Sequence, residues 1–202
     1  MKSTIILFLS VLLLCASCSK ENELKDSVMI YDEEYPELPV YSEWGYNTFG
    51  AYYDRQVFIS NYETVPAKVI VTNNEMSFLL DGQNGSYYDY YDYAEMSITF
   101  KIPGLTPEKY SDLLVLNDTI FDLTNPAYEL LVSIDSAHYT AEILNGQFYF
   151  KRAQNLFVDE QQIEVILSGY FEFQALVGGE PVTVSNGRFD VGVGTDNFYN
   201  YD

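Results

Sequence analysis

Histidine and cysteine are almost missing from this chain of 202 residues, which has one histidine, His138, and two cysteines, Cys15 and Cys18. Beyond position 18 no thiol is left to build a disulfide scaffold or to ligate a metal. One histidine cannot supply an H-E-x-x-H pair, and no serine stands in a G-x-S-x-G elbow, so metallohydrolase and triad-hydrolase chemistry lack their parts. Bases are scarce as well: 10 Lys and Arg face 30 Asp and Glu, for a formal net charge of −20. A field of that sign repels phosphate backbones, and no basic cluster offsets it, which excludes nucleic acid as a partner. The longest apolar run, Ile5 to Cys15, falls short of the roughly 20 residues that cross a bilayer as a helix. There is a single tryptophan, Trp44, close to the N-terminal segment, which argues against a sugar site built on stacked indoles.

That N-terminal segment carries the most specific pattern in the chain. Lys2 is a positive n-region, Ile5 to Cys15 a hydrophobic h-region, and Ala16-Ser17 the small residues before a cleavage point, the layout of an export signal. Leu14-Cys15-Ala16-Ser17-Cys18 resembles a bacterial lipobox. The resemblance implies cleavage after residue 17 and acylation of Cys18 with palmitate-type chains, which anchor a protein without spanning the membrane. Ser19-Lys20-Glu21-Asn22-Glu23 resembles the acidic export signal of Bacteroidetes surface lipoproteins. The expected organisation is a signal peptide (1–17), an acidic tether (18–43) and one domain (44–202). Asp32-Glu33-Glu34, Pro36 and Pro39 mark the tether as extended spacer. The expected location is the outer membrane, lipid-anchored and at the cell surface.

The body alternates with period two. In Met96 to Ile102 every even position is apolar and every odd one polar, the pattern of a strand with one face on a core. Met76, Phe78 and Leu80 repeat it, as do Val57 and Ile59, and Phe148 and Phe150. In the longest run Ile163, Val165, Leu167, Phe171, Phe173 and Ala175 share one face, and Glu164, Ser168, Tyr170, Glu172 and Gln174 the other. Gly169 in its middle predicts a bend or bulge. After Gly178-Gly179 the return strand begins with Val182 and Val184 at even positions and ends with Phe189, Val191 and Val193 at odd ones. Such a flip requires one extra residue, which predicts a β-bulge at Asn186-Gly187. Asn73-Asn74, Asp81-Gly82, Asn84-Gly85, Pro103-Gly104 and Asn145-Gly146 read as turns. Thr106, Pro107 and Glu108 read as the start of one short helix running through Tyr110 to Leu114. The expected fold is all-β, an antiparallel β-sandwich of roughly eight to ten strands with at most one short helix; a closed calycin-like barrel is the alternative.

Two segments near the domain ends resemble a group of Bacteroidetes lipoproteins that has no established activity. Those chains open with a strand reading N-T-F-G, as Asn47-Thr48-Phe49-Gly50 does here, and close with a hairpin ending N-G-R-F-D, as Asn186-Gly187-Arg188-Phe189-Asp190 does. The match departs at the first hairpin, where Asp54-Arg55 replaces a turn of Asn-Gly type. The resemblance implies a fold and a surface address. It implies no enzyme.

Three sets of candidate site residues remain. Tyr87, Tyr88, Tyr90, Tyr91 and Tyr93 form an unusual tyrosine run among 19 tyrosines in all, suited to a glycan or protein partner, although period-two tyrosines are also ordinary strand residues. Asp81, Asn84, Asp190, Asp196 and Asp202 have the oxygen ligands Ca²⁺ takes, yet no calcium-loop spacing; no metal and no cofactor is expected. Ser27, Thr119 and Ser136 follow an Asp and precede an apolar residue, which resembles the Bacteroidetes O-glycosylation pattern and implies accessible positions. The expected role is a non-enzymatic binding or structural module for a glycan or a protein. The alternatives are a small-ligand carrier with a barrel cavity and a glycan hydrolase, for which no carboxylate pair stands out.

Overall fold

The computed structural model describes residues 26–61, 66–85 and 93–201. Twelve strands among them join into one hydrogen-bonded sheet: β1 (Thr48–Tyr53), β2 (Gln56–Ile59), β3 (Ala67–Thr72), β4 (Glu75–Gly85), β5 (Ala94–Pro103), β6 (Thr119–Asp122), β7 (Glu129–Ile134), β8 (Ala137–Thr140), β9 (Glu142–Val158), β10 (Gln161–Val177), β11 (Glu180–Gly194) and β12 (Phe198–Asn200). Their order is β6-β9-β10-β11-β1-β2-β4-β5-β7-β8, with β3 beside β4 and β12 parallel to β3. All other pairings are antiparallel. The sheet is not closed: β6 and β8 end it, so the protein is a sandwich and the barrel alternative is corrected. The strand number exceeds the expectation because β6, β8 and β12 have only three or four residues each, too few for alternation to register.

The layers meet through phenylalanine. Phe78 of β4 lies 5.8, 5.2 and 5.3 Å, ring centre to ring centre, from Phe148, Phe150 and Phe189 of the opposing strands. Phe100 of β5 stacks on Phe148 at 4.9 Å, and Phe148 on Phe171 at 5.5 Å. Eight phenylalanines are fully buried in this way, each worth about 1.5–3 kcal/mol relative to exposure. The space between the layers is filled with side chains.

Alternation placed most of β10: Val165, Leu167, Phe171, Phe173 and Ala175 are buried inside, while Tyr170, Glu172 and Gln174 face out. Ser168, expected with the latter, is fully buried where its hydroxyl donates to Asp190, and Ile163 and Glu164 are both half-buried. The parity flip in β11 is a bulge, as expected. Phe171 pairs with Gly187 but Phe173 with Val184, so three residues of β11 span two of β10, and Asn186 takes a φ of 53° there. Beside Gly169 the register also shifts, with the extra residue, Lys151, on β9 instead. Three turn expectations are corrected. Asn84-Gly85 forms the end of β4, paired with Phe58 and Val57 of β2. Asp81-Gly82 lies inside β4, where a Cβ on Gly82 would sit 2.2 Å from the Ile59 carbonyl oxygen; the glycine serves close approach. Asn145-Gly146 lies inside β9, beside a bulge that leaves Leu144 unpaired. Asp54-Arg55 does make the first hairpin: Asp54 takes a φ of 53°, and its carboxylate accepts the Thr183 N–H at 2.8 Å. The helix is a 3-10 turn, Tyr110–Leu116, starting later than Pro107 because the Asp112 carboxylate accepts the N–H groups of Glu108 and Lys109 at 3.1 and 3.2 Å.

The largest departure is at the front. Residues 18–43 read as a tether, but from residue 26 the chain forms an out-and-back strap laid on the outer face of the sheet. Val40 N–H donates to Ile30 O at 2.7 Å and Asp32 N–H to Leu38 O at 2.9 Å, and Val28 N–H reaches Tyr46 O at 2.8 Å. Leu38 is fully buried with Val57 and Ile59, and Met29, Tyr35 and Tyr52 pack around them. Acids and prolines suggested a spacer; Met29, Tyr35 and Leu38 supply the apolar side that docks it.

Candidate functional site

Two residues of the closing N-G-R-F-D segment hold the strap down. Asp190 is 2 % exposed, and its carboxylate accepts from Ser42 Oγ, from the N–H groups of Trp44 (3.2 Å), Gly45 (2.9 Å) and Tyr46 (3.0 Å), and from Ser168 Oγ (2.9 Å). A buried charge ringed by donors in this way is satisfied without a cation. Arg188 reaches Asp32 at 2.6 Å and lies 4.7 Å over the Tyr35 ring. Partial burial raises the Asp32 pKa, but the N–H groups of Glu34 and Tyr35 and the Arg188 guanidinium outweigh it and hold the carboxyl below its usual range.

Between the strap and the outward face of β9–β11 runs a groove of about 470 Å³, walled by Tyr35, Tyr41, Tyr149 and Tyr170 with Gln147 and Glu172 on its floor. Tyr41 of the strap stacks on Tyr170 of β10, ring centres 4.4 Å apart. Lys151 Nζ sits 4.8 Å from the Tyr41 ring centre and 3.5 Å from Glu43, to which Tyr41 donates its hydroxyl at 2.9 Å. Tyr149 donates to Asp118 at 2.7 Å. Burial, reinforced by the Glu43 contact, pushes the Tyr41 phenol up, burial does the same for Tyr170, and the Asp118 hydrogen bond raises Tyr149. All three are neutral hydrogen-bond donors at ordinary pH.

Trp44 stands beside this wall. It is 77 % exposed, and lines a smaller recess with Tyr41, Ser42, Glu43 and Gln154. Its place near the N-terminal segment counted against a sugar site; because the strap folds back, that place is next to the tyrosines. At the opposite end the groove joins a second depression of about 650 Å³, lined by Asp122, Asn145, Gln147, Glu172, Gln174, Thr183 and Ser185 among others. A separate cavity of about 290 Å³ opens at the sandwich end near Tyr110 and Asn197. Its amides are committed to strand ends: Asn47 Oδ1 accepts Gly192 N–H, and Asn197 Oδ1 accepts Gly194 N–H, both at 2.8 Å.

The expected site residues are scattered. Tyr87, Tyr88, Tyr90 and Tyr91 lie outside the described residues, and Tyr93 is half-buried just before β5. Cys18 also lies outside them. Of the calcium candidates, Asp202 is outside; Asp81 pairs with Lys68 at 3.4 Å, Asn84 donates to Gln56 at 2.7 Å, and Asp190 is committed as above. Asp196 follows β11 on a separate turn. Among the described residues no three His, Cys, Asp or Glu side chains come together as a metal site. His138 lies exposed on edge strand β8 with its Nδ1 2.8 Å from Ser133 Oγ. Ser136 is exposed in the β7–β8 turn; Thr119 is half-buried at the start of β6; Ser27 is half-buried and donates to Asn47 O at 2.8 Å. The tyrosines that do converge come from positions 35, 41, 149 and 170, and the signal available for the last two was their place between apolar residues of the period-two pattern in β9 and β10. No family model matches the chain, and neither a curated protein nor a solved structure does so.

Proposed function

We propose that this protein is a lipid-anchored module of the outer membrane, displayed at the cell surface, which binds a glycan without cleaving it, and that the tyrosine groove under the strap is its site. The observation that carries the reading is the 77 % exposed Trp44 beside the Tyr41–Tyr170 stack. An indole left in water next to further rings, amides and carboxylates is the mixture that packs sugar C–H faces and satisfies sugar hydroxyls. The filled phenylalanine interior argues against a carrier, whose ligand would need that space. A hydrolase needs a carboxyl raised so that it can donate a proton, and the groove's Asp32 is held in the opposite direction. Anchorage rests on the Leu14-to-Cys18 pattern and the resemblance to Bacteroidetes lipoproteins.

Titration of neutral oligosaccharides tests the site. Trp44→Ala and Tyr170→Ala are each expected to weaken binding about tenfold while leaving thermal unfolding nearly unchanged. Equal affinity for both variants and the parent would reject the groove. The anchor is tested separately: Cys18→Ala is expected to abolish acyl labelling and membrane partition.

A further inference from the structure

Resting on the glycan reading, we infer that the ligand is an extended, uncharged oligosaccharide lying along β10, with an aromatic end at Trp44 and a polar end at Thr183. The outward residues of three neighbouring strands stand in register: Tyr149 opposite Tyr170 opposite Arg188, then Gln147 opposite Glu172, then Asn145 opposite Gln174 opposite Thr183. Gln154, in the Trp44 recess, stands opposite Ile166. From Tyr170 to Gln174 is four residues, about 13 Å of open strand; beyond Tyr170 the strap covers Ser168 and Ile166, and the path continues past Tyr41 into the Trp44 recess. The recess, the groove and the depression share lining residues in sequence, Tyr41 joining the first two and Gln147 and Glu172 the second two. One continuous trench results, longer than a single pyranose ring.

Its chemistry changes along its length. Trp44, Tyr41, Tyr170 and Tyr149 offer ring surface at one end, and Asn145, Gln174, Thr183 and Ser185 offer amides and hydroxyls at the other. The trench floor is the face of a sheet whose backbone groups are already paired β9 to β10 to β11. A peptide that binds as an added strand needs a free sheet edge, and this face offers it none; a chain of hydroxyls reads side chains instead. Charge excludes the acidic polysaccharides. Glu43, Asp118, Asp122 and Glu172 line or flank the trench and outnumber its cations, of which Lys151 pairs with Glu43, Arg188 with Asp32, and Arg152 donates to Gln154.

Calorimetric titration with disaccharide and hexasaccharide fragments of neutral glucan, mannan, xylan and galactan separates this inference from the reading beneath it. In at least one series the hexasaccharide is expected to bind about tenfold or more tightly than the disaccharide. The double change Gln174→Ala and Thr183→Val should abolish that advantage and leave disaccharide affinity as it was, whereas Tyr170→Ala weakens both lengths. Equal affinity for both lengths overturns the extended-chain inference and leaves the glycan site standing. Tighter binding of a polyuronate hexasaccharide than of every neutral one overturns the uncharged ligand. Absence of binding in all four series overturns the glycan reading itself, and direct binding of an extended basic peptide, weakened by Tyr170→Ala, identifies the other class.

Discussion

The two faces of β9, β10 and β11 are made from the same strands, and they differ mainly by hydroxyl groups and charge. Inside stand Phe148, Phe150, Phe171, Phe173 and Phe189; outside, one residue along, stand Tyr149, Tyr170, Gln147, Glu172 and Gln174. The inner rings are packed on other rings from the opposite layer, with Phe148 in contact distance of Phe78, Phe100, Phe150, Phe171 and Phe189. The outer rings meet the strap through Tyr41, the Asp118 carboxylate and the Lys151 ammonium instead. One aromatic ladder therefore holds the fold, and the other, of nearly the same shape, is free to hold something else. A phenol keeps its ring at a wet surface because its hydroxyl finds partners there, as Tyr149 does with Asp118 and Tyr41 with Glu43.

Removing adjacent rings of the two ladders gives the sharpest break. Phe148→Ala opens a void at the meeting point of the layers and is expected to lower the unfolding free energy by about 3–5 kcal/mol. Tyr149→Ala, its neighbour in sequence, is expected to remain within about 1 kcal/mol. Urea denaturation of the two variants measures the difference, and comparable losses would mean that the outer ladder is structural after all.

A smaller but more local effect is expected from Asp190, the residue that joins the ladders to the strap. Asp190→Ala leaves the N–H groups of Trp44, Gly45 and Tyr46 and the hydroxyls of Ser42 and Ser168 without their acceptor. The expected loss is about 3 kcal/mol. Hydrogen exchange distinguishes it from Phe148→Ala: amides of residues 28–46 should lose protection first, while those of β4 and β5 keep theirs.

The inner ladder was legible because its signal is local. Period two along β10 named the residues that face the phenylalanine core, and the change of parity between Val184 and Phe189 located the bulge at Asn186 without any knowledge of the fold. The equally long β9 was harder, since bulges at Leu144 and Lys151 each shift its parity and break one long strand into fragments that resemble turns. The strap was misread for a different reason. Its acids suggest solvent only until each partner is known, and Asp32 finds Arg188 156 positions away, Ser42 finds Asp190 148 positions away. The groove inherits that difficulty. Tyr35 and Tyr41 come from the strap, Tyr149 and Tyr170 from β9 and β10, while Tyr87 to Tyr93 drew notice only because they are consecutive. Composition could show that tyrosine was abundant; register decided which tyrosines meet.

The mildest prediction separates the two clasps of the strap by pH. Asp32 has its pKa lowered from 3.8: burial opposes the shift, and the hydrogen bonds from Glu34, Tyr35 and Arg188 produce it. A depressed carboxylate contributes stability that is present in full above the unfolded value and is lost as pH falls through the folded one. The strap should therefore loosen only below pH 3.8, with the apolar anchor of Leu38 still in place. Trp44 is the one tryptophan of the chain and lies in the strap, so its selectively excited fluorescence follows this event apart from global unfolding. Arg188→Gln removes the guanidinium that helps to depress Asp32 and should shrink the pH-dependent change in Trp44 emission, with circular dichroism of the sheet unaltered. An unchanged acid transition in that variant would show that Asp190 alone fastens the strap, and that the Arg188–Asp32 contact, for all its short 2.6 Å reach, shapes the groove without holding it shut.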